Sequence, residues 1–134
     1  MNTIGRDPLR LTRRSAAVAM VLLGPFAMVP VQATAAMGMP LEVNLLLGFV
    51  KDSGCDFQRN GSWHTAHEAQ VHLRDKFNDL NARNRLETAE QFIEKAASES
   101  SLTGRPYMVR CNGGSLISSN RWLSDELLRL RKAQ

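Results

Sequence analysis

Cys55-Asp56-Phe57-Gln58-Arg59-Asn60-Gly61 and Tyr107-Met108-Val109-Arg110-Cys111-Asn112-Gly113-Gly114 are the two stretches whose reading decides the fold. Each is a short run ended by an Asn-Gly turn pair, the signature of a strand reaching a tight turn. With a side-chain period of two, Cys55 and Phe57 share one face, as do Val109 and Cys111. Antiparallel pairing with Cys55 opposite Cys111 also sets Phe57 against Val109 and Arg59 against Tyr107. Parallel pairing would set Phe57 against Gly113 and leave the aromatic nothing to pack on. A two-stranded ribbon is not stable alone in water and must lie on other elements.

The remaining patterns supply helices for it to lie on. Pro40 suits a first helical turn, Leu41, Leu45, Leu46, Phe49 and Val50 recur at helical spacing, and Gly54 is a natural stop. Thr65 to Glu68 is a capping box, hydroxyl at the cap and carboxylate three residues on. It opens a helix to about Leu80 with Ala66, Ala69, Leu73, Phe77 and Leu80 on one face. Thr88-x-x-Gln91 reads as a second capping box, followed by Ala89, Phe92, Ile93, Ala96 and Ala97 as an amphipathic stripe. A polar loop, 98–106, leads to the second strand. A last helix begins near Ser119 or Asn120 and buries Leu123, Leu127 and Leu130. The expected class is α+β, mostly helical: four helices packed on a two-stranded antiparallel ribbon, ordered helix, strand, helix, helix, strand, helix.

The N-terminal 35 residues read as processing chemistry. A basic stretch ends at Arg13-Arg14, an uncharged run follows from Ser15 to Leu41, and Ala33-Thr34-Ala35 forms an A-x-A site before Ala36. This is the grammar of a secretory signal. The run is long enough to span a membrane, but Gly24, Pro25 and Pro30 interrupt it. No cysteine stands at the cleavage point to take a lipid. Thr12-Arg13-Arg14 admits twin-arginine export, but Ser15, Ala16 and Ala17 replace the usual bulky apolar residue, which favours the general secretory route. Residues 1–35 are therefore expected to be a cleavable signal peptide and residues 36–134 a single small domain, periplasmic or secreted. In an oxidising compartment the even cysteine count, Cys55 and Cys111, reads as a disulfide, with two buried free thiols as the alternative.

Charge narrows the partners. Of 17 Lys+Arg and 13 Asp+Glu, four arginines and one aspartate fall in residues 1–35, leaving 13 and 12, a net of +1. A near-neutral domain lacks the electrostatic footprint of a nucleic-acid binder. There is no low-complexity tract and no internal repeat, so disordered and solenoid classes are excluded.

His64, His67, Glu68 and His72 suggest a metal, but the spacing opposes it. His67-Glu68 is followed by His72 at i+5, about 140° round a helix, whereas zinc-protease grammar puts the histidines one turn apart. Glu68 reads as a cap, with His64 and His67 solvated. His72 flanks the apolar face beside Glu68 and Lys76, each four residues away, and a carboxylate there would favour the charged imidazole. Ser98, Ser100, Ser101 and Thr103 suggest a nucleophile loop, but G-x-S-x-G and Ser-x-x-Lys are both absent, and a polar linker accounts for the residues. Cys55 and Cys111 are not C-x-x-C, which argues against thioredoxin-type redox work. No Gly-rich phosphate loop and no selectable carboxylate pair occurs. No cofactor and no metal is expected.

Three blocks also carry a likeness. They are Ser53-Gly54-Cys55-x-Phe57-x-Arg59-Asn60-Gly61; Glu68-Ala69-x-x-His72-Leu73-Arg74-x-Lys76; and Thr88-Ala89-Glu90-x-Phe92-Ile93 with Ser100-Ser101-x-x-Gly104-x-Pro106-Tyr107-x-Val109. In this order the sequence resembles the YfeK-like family, small exported bacterial proteins classed as a domain of unknown function. The resemblance spans most of residues 41–132. It implies a periplasmic, single-domain protein and transfers no activity, substrate, cofactor or functional residue. Gln58 stands where an aliphatic residue is expected, and Arg105 where lysine is more usual.

The functional expectation is a non-enzymatic binding or interaction module whose partner is a periplasmic protein or a small ligand, with no nucleic acid and no membrane span after signal cleavage. Turn-rich segments at one end of the ribbon gather Arg59, Asn60, Trp63, Ser100, Ser101, Arg105 and Tyr107 as a candidate binding edge, with Trp63 and Tyr107 as core residues the alternative. The alternative activity is a small hydrolase-like enzyme using His72 with a serine of the 98–101 loop, which requires the two side chains within about 3 Å. The first check is the mature N-terminus. The intact mass of exported protein is expected to match a chain starting near Ala36; residues 1–35 retained in a membrane fraction would contradict cleavage.

Overall fold

The computed structural model describes residues 36–134. The signal-peptide reading of residues 1–35 lies outside the described residues. Among those described, the order is α1 (Met39–Asp52), β1 (Asp56–Arg59), β2 (Ser62–His64), α2 (Ala66–Ala82), α3 (Ala89–Ala97), β3 (Met108–Arg110), β4 (Ile117–Ser118) and α4 (Ser119–Lys132). The class is α+β, as expected, but the ribbon is wider. β1 and β3 are the inner strands of a four-stranded antiparallel sheet ordered β2-β1-β3-β4.

The β1–β3 register is the one expected: Asp56, Phe57 and Gln58 face Arg110, Val109 and Met108. One position beyond, Cys55 meets Cys111, and the two are disulfide-bonded with Cα atoms 4.3 Å apart. At the other end the same register brings Arg59 towards Tyr107. The two strands missed are very short. Asn60 and Gly61 have φ of 50° and 84°, both left-handed, as a two-residue hairpin turn that follows the strand twist requires. The chain returns as β2, where Trp63 faces Gln58. Three residues, and two in β4, are too few to show an alternation, and both strands run directly into helix caps.

One face of the sheet carries Phe57 and Val109 into the core shared by all four helices. Trp122 of α4 closes over it, stacked on Phe49 at 4.4 Å and edge-on to Phe57 at 5.6 Å. The other face carries Trp63 beneath the Arg110 guanidinium, 4.2 Å from the ring centroid, with Asp56 3.4 Å from Arg110. Gln58 belongs to this polar side, which is why an aliphatic residue is not needed there.

Helix α1 buries Val43, Leu46, Leu47 and Val50, while Leu41 and Leu45, expected in the core, are exposed. The buried four stand at i, i+3, i+4 and i+7, a helical stripe that Leu41 and Leu45 lie off. A polar contact adjoins this face. Glu42, 5% exposed, accepts two hydrogen bonds from Arg131 of α4 at 2.6 and 3.0 Å. Arg131 also reaches Glu90 of α3, so one guanidinium joins three helices. The capping box at Thr65 is complete: the Thr65 hydroxyl accepts from the Glu68 amide at 3.3 Å and Glu68 accepts from the Thr65 amide at 2.8 Å. The second box is half made. Thr88 accepts from the Gln91 amide, but the Gln91 side chain accepts from Glu87 instead.

The disulfide closes a separation of 56 residues, which in the chain-entropy account stabilises the fold by about 4 kcal/mol. The double variant Cys55→Ser, Cys111→Ser is expected to melt on the order of 20 °C lower. A loss smaller than about 1 kcal/mol in denaturant unfolding would show that the register is held by something else.

Candidate functional site

The register that joins the cysteines also places the site. From Cys55, alternation carries Phe57 and Arg59 to the helix-facing side of β1. The hairpin then delivers the chain to the Thr65 cap, and α2 starts at once. Seven residues past the cap, His72 faces Arg59. The Arg59 Nη1 lies 2.8 Å from His72 Nδ1 and 3.0 Å from Nε2. Both ring nitrogens lie within hydrogen-bond distance of the same guanidinium nitrogen, and the tautomer decides which of them accepts. The Tyr107 hydroxyl is 3.4 Å from His72 Nε2, and the two rings meet edge to face at 6.2 Å. Behind the Tyr107 ring, 5.3 Å from its centroid, sits the amino group of Lys76. That amino group is enclosed and has no hydrogen-bond partner.

Arg59, His72 and Tyr107 border a cleft of about 410 Å³ between β1 and the first half of α2, while Lys76 lies behind Tyr107, outside its lining. Phe57, Ala69 and Leu73 give it apolar walls, and His64, His67 and Asp75 stand along it. The volume is in the range of small-molecule sites. Among the described residues, no carboxylate lies within ion-pair distance of Arg59, His72 or Lys76. Asp75 and Glu99 act on His72 and Lys76 only at longer range.

The electrostatics correct one expectation. Glu68 was expected to favour a charged His72. Instead its carboxylate is committed to the Thr65 cap, whose amide and hydroxyl hold it below the usual carboxylate range. His72 is pushed below its ordinary value by burial first, then by Arg59 and Lys76. Lys76 is lowered by burial and by Arg59, and burial raises the Tyr107 phenol. The site at neutral pH is a cationic guanidinium against a neutral imidazole and a neutral phenol.

The expected binding edge is divided by the structure. Arg59 and Tyr107 belong to the cleft, and Tyr107 is 8% exposed. Trp63, 42% exposed, lies on the opposite sheet face with Arg110. Asn60 and Ser100 tie the hairpin tip to the 98–106 loop: Asn60 Nδ2 donates to the Ser100 hydroxyl at 3.2 Å, and Thr103 donates to Asn60 Oδ1 at 2.6 Å. Ser100 is buried, while Ser101 and Arg105 are exposed, Arg105 beside Gly61. The physical reason is the strand pleat: residues adjacent in sequence leave on opposite faces, so closeness in the chain does not make one surface.

The serine pairing that hydrolysis requires is absent among the described residues. His72 bonds Arg59 and Tyr107, while the Ser98 hydroxyl donates to the Ile93 carbonyl and accepts from Asn120. Ser119 borders the cleft, but no hydrogen bond joins it to His72. No three His, Cys, Asp or Glu converge as metal ligands among the described residues, and none of their helices is long and apolar enough to cross a membrane. The sequence reading missed the cleft as a whole. The available signal was the shared face of Phe57 and Arg59 opposite Tyr107, followed by a helix that begins only a few residues past the hairpin.

A family model described as "Family of unknown function (DUF5329)" matches residues 38–131, and the chain belongs to that family. The uncharacterized protein YfeK of Salmonella typhimurium is 59% identical over 51 residues, 38% of this chain and 41% of that protein. The chain thus spans about two fifths of the length of the curated relative it matches. This agrees with the YfeK-like resemblance read from the sequence. No solved structure matches.

Because the folded state disfavours the His72 proton, the unfolded chain binds more protons below its ordinary value near 6.5. The His72 contribution to stability is therefore full above that pH and is lost as pH falls through the folded value. NMR titration of the imidazole is expected to give a midpoint below the ordinary one, moved upward in Arg59→Gln. A midpoint at or above 6.5 would contradict the arrangement.

Proposed function

We propose that this family member is an exported, non-enzymatic binding module whose small-ligand site is the β1–α2 cleft. The observation that carries the reading is Arg59: a half-buried guanidinium in an apolar-walled cleft, held by an imidazole and without a carboxylate partner. Binding sites of this kind are mostly apolar, with a few placed polar groups that fix orientation. The signal-like N-terminus supports cleavage near Ala36 and a periplasmic or secreted location for residues 36–134, and a disulfide agrees with an oxidising compartment. Binding is favoured over hydrolysis because, among the described residues, no serine hydroxyl bonds His72, whose neighbours are Arg59 and Tyr107.

A fragment screen read by amide chemical shifts on the intact protein tests this. Hits are expected to move Ala69, His72 and Tyr107. Val71 lies along the cleft and is 42% exposed, so Val71→Trp is expected to obstruct binding. The variant should weaken the hits about tenfold or more while changing stability by less than about 0.5 kcal/mol. Hits gathered instead around Trp63 on the outer sheet face, or no shift in the cleft, would overturn the reading.

A further inference from the structure

Any assignment of the ligand rests on the cleft reading, and the polar groups of the cleft narrow its chemistry. Arg59 and His72 are drawn together in the cleft by β1 and α2, Lys76 stands behind Tyr107, and no acid is bonded to any of the three. A half-buried guanidinium in an apolar-walled cleft without a counter-charge is unfavourable, and Lys76 behind Tyr107 adds positive potential to the same place. An anion against Arg59 supplies the missing counter-charge. The neutral donors available beside it, one phenol and one imidazole, suit a single negative charge. A guanidinium presents parallel N–H groups that fit a planar carboxylate. The walls of Phe57, Ala69 and Leu73 leave room for an apolar body.

We propose that the cleft binds a small organic monocarboxylate, its acid group on Arg59 and the Tyr107 hydroxyl and its apolar body along α2, and that His72 takes up a proton on binding. The groups facing His72 set the direction of this coupling. In the free protein Arg59 from β1, Lys76 from α2 and His64 at the end of β2 disfavour the imidazolium. Asp75 on α2 opposes them, Glu68 on α2 also stands along the cleft but is held by the Thr65 cap, and Tyr107, just before β3, is neutral. A carboxylate on Arg59 neutralises the nearest cation and adds an acceptor for the imidazolium N–H. Affinity is therefore highest at low pH and falls as pH rises past the free-state value, levelling off above the bound-state value.

Phenylacetate, its neutral isostere phenylacetamide and phenethylamine are the probes, titrated into the intact protein between pH 6 and 8, where the acid stays ionised. Calorimetry in two buffers of different ionisation enthalpy reads the proton count, and amide shifts of Ala69, His72 and Tyr107 locate the site. The acid is expected to bind about tenfold or more tighter than the amide, because hydrogen bonds to charged groups are worth more than neutral ones. It should weaken several-fold from pH 6 to pH 8, by at most about tenfold per unit for one proton, with net uptake. In His72→Gln the uptake and pH dependence should vanish. In Arg59→Gln acid and amide should bind alike. Amide or amine binding as tightly as the acid in the same cleft would overturn the carboxylate inference and leave the cleft reading standing. Acid binding without proton uptake would overturn the role of His72. If none of the probes moves the cleft residues, the carboxylate inference falls, and fragment hits elsewhere would remove the cleft reading with it.

Discussion

The bond between Cys55 and Cys111 fixes the β1–β3 register, and most of what is distinctive in this fold depends on that register. In a ribbon with a period of two, a slip of one residue exchanges the faces. Phe57 would leave Val109 and turn to solvent, and Asp56 or Gln58 would enter the core. The covalent link forbids the slip at one end of the pair. At the other end the same alignment brings Arg59 towards Tyr107, so the constraint that protects the core also assembles the polar groups of the cleft.

The helices hold that ribbon from one side. Helix α2 begins immediately after β2 because Thr65 and Glu68 satisfy each other's orphan donors. The short connection brings the first turns of α2 over β1, which is where His72 meets Arg59. On the opposite flank Arg131 binds buried Glu42 and the more exposed Glu90, tying α4 to α1 and α3. Such a pair gives less net stability than its short distances suggest, because both ions lose water. Its clearest effect is orientation: it fixes the end of α4 between α1 and α3.

What could be read in the sequence is what local chemistry decides alone. The strand faces of 55–59 and 107–111, the Asn60-Gly61 turn, the first capping box and the cysteine pairing each rest on residues adjacent in sequence or aligned by a period of two. The rest depended on competition between distant residues. β2 and β4 are too short to carry a pattern and exist because the inner strands offer them edges. Gln91 had two amides within reach and took that of Glu87. Glu68 was one turn from His72, yet the Thr65 cap claimed its carboxylate, and Arg59 from another strand set the state of the imidazole. Trp63 and Arg59, both on the candidate edge, leave the sheet on opposite faces, which chain proximity alone does not reveal.

The disulfide-locked register brings His72 and Tyr107 together, and nuclear Overhauser contacts between the two rings, whose centroids lie 6.2 Å apart, test this in the oxidised protein and again after reduction. Contacts between the imidazole and phenol protons are expected with the disulfide intact, with weakening or loss when the thiols are free. Contacts that persist unchanged after reduction, or that are missing from the oxidised protein, would contradict it.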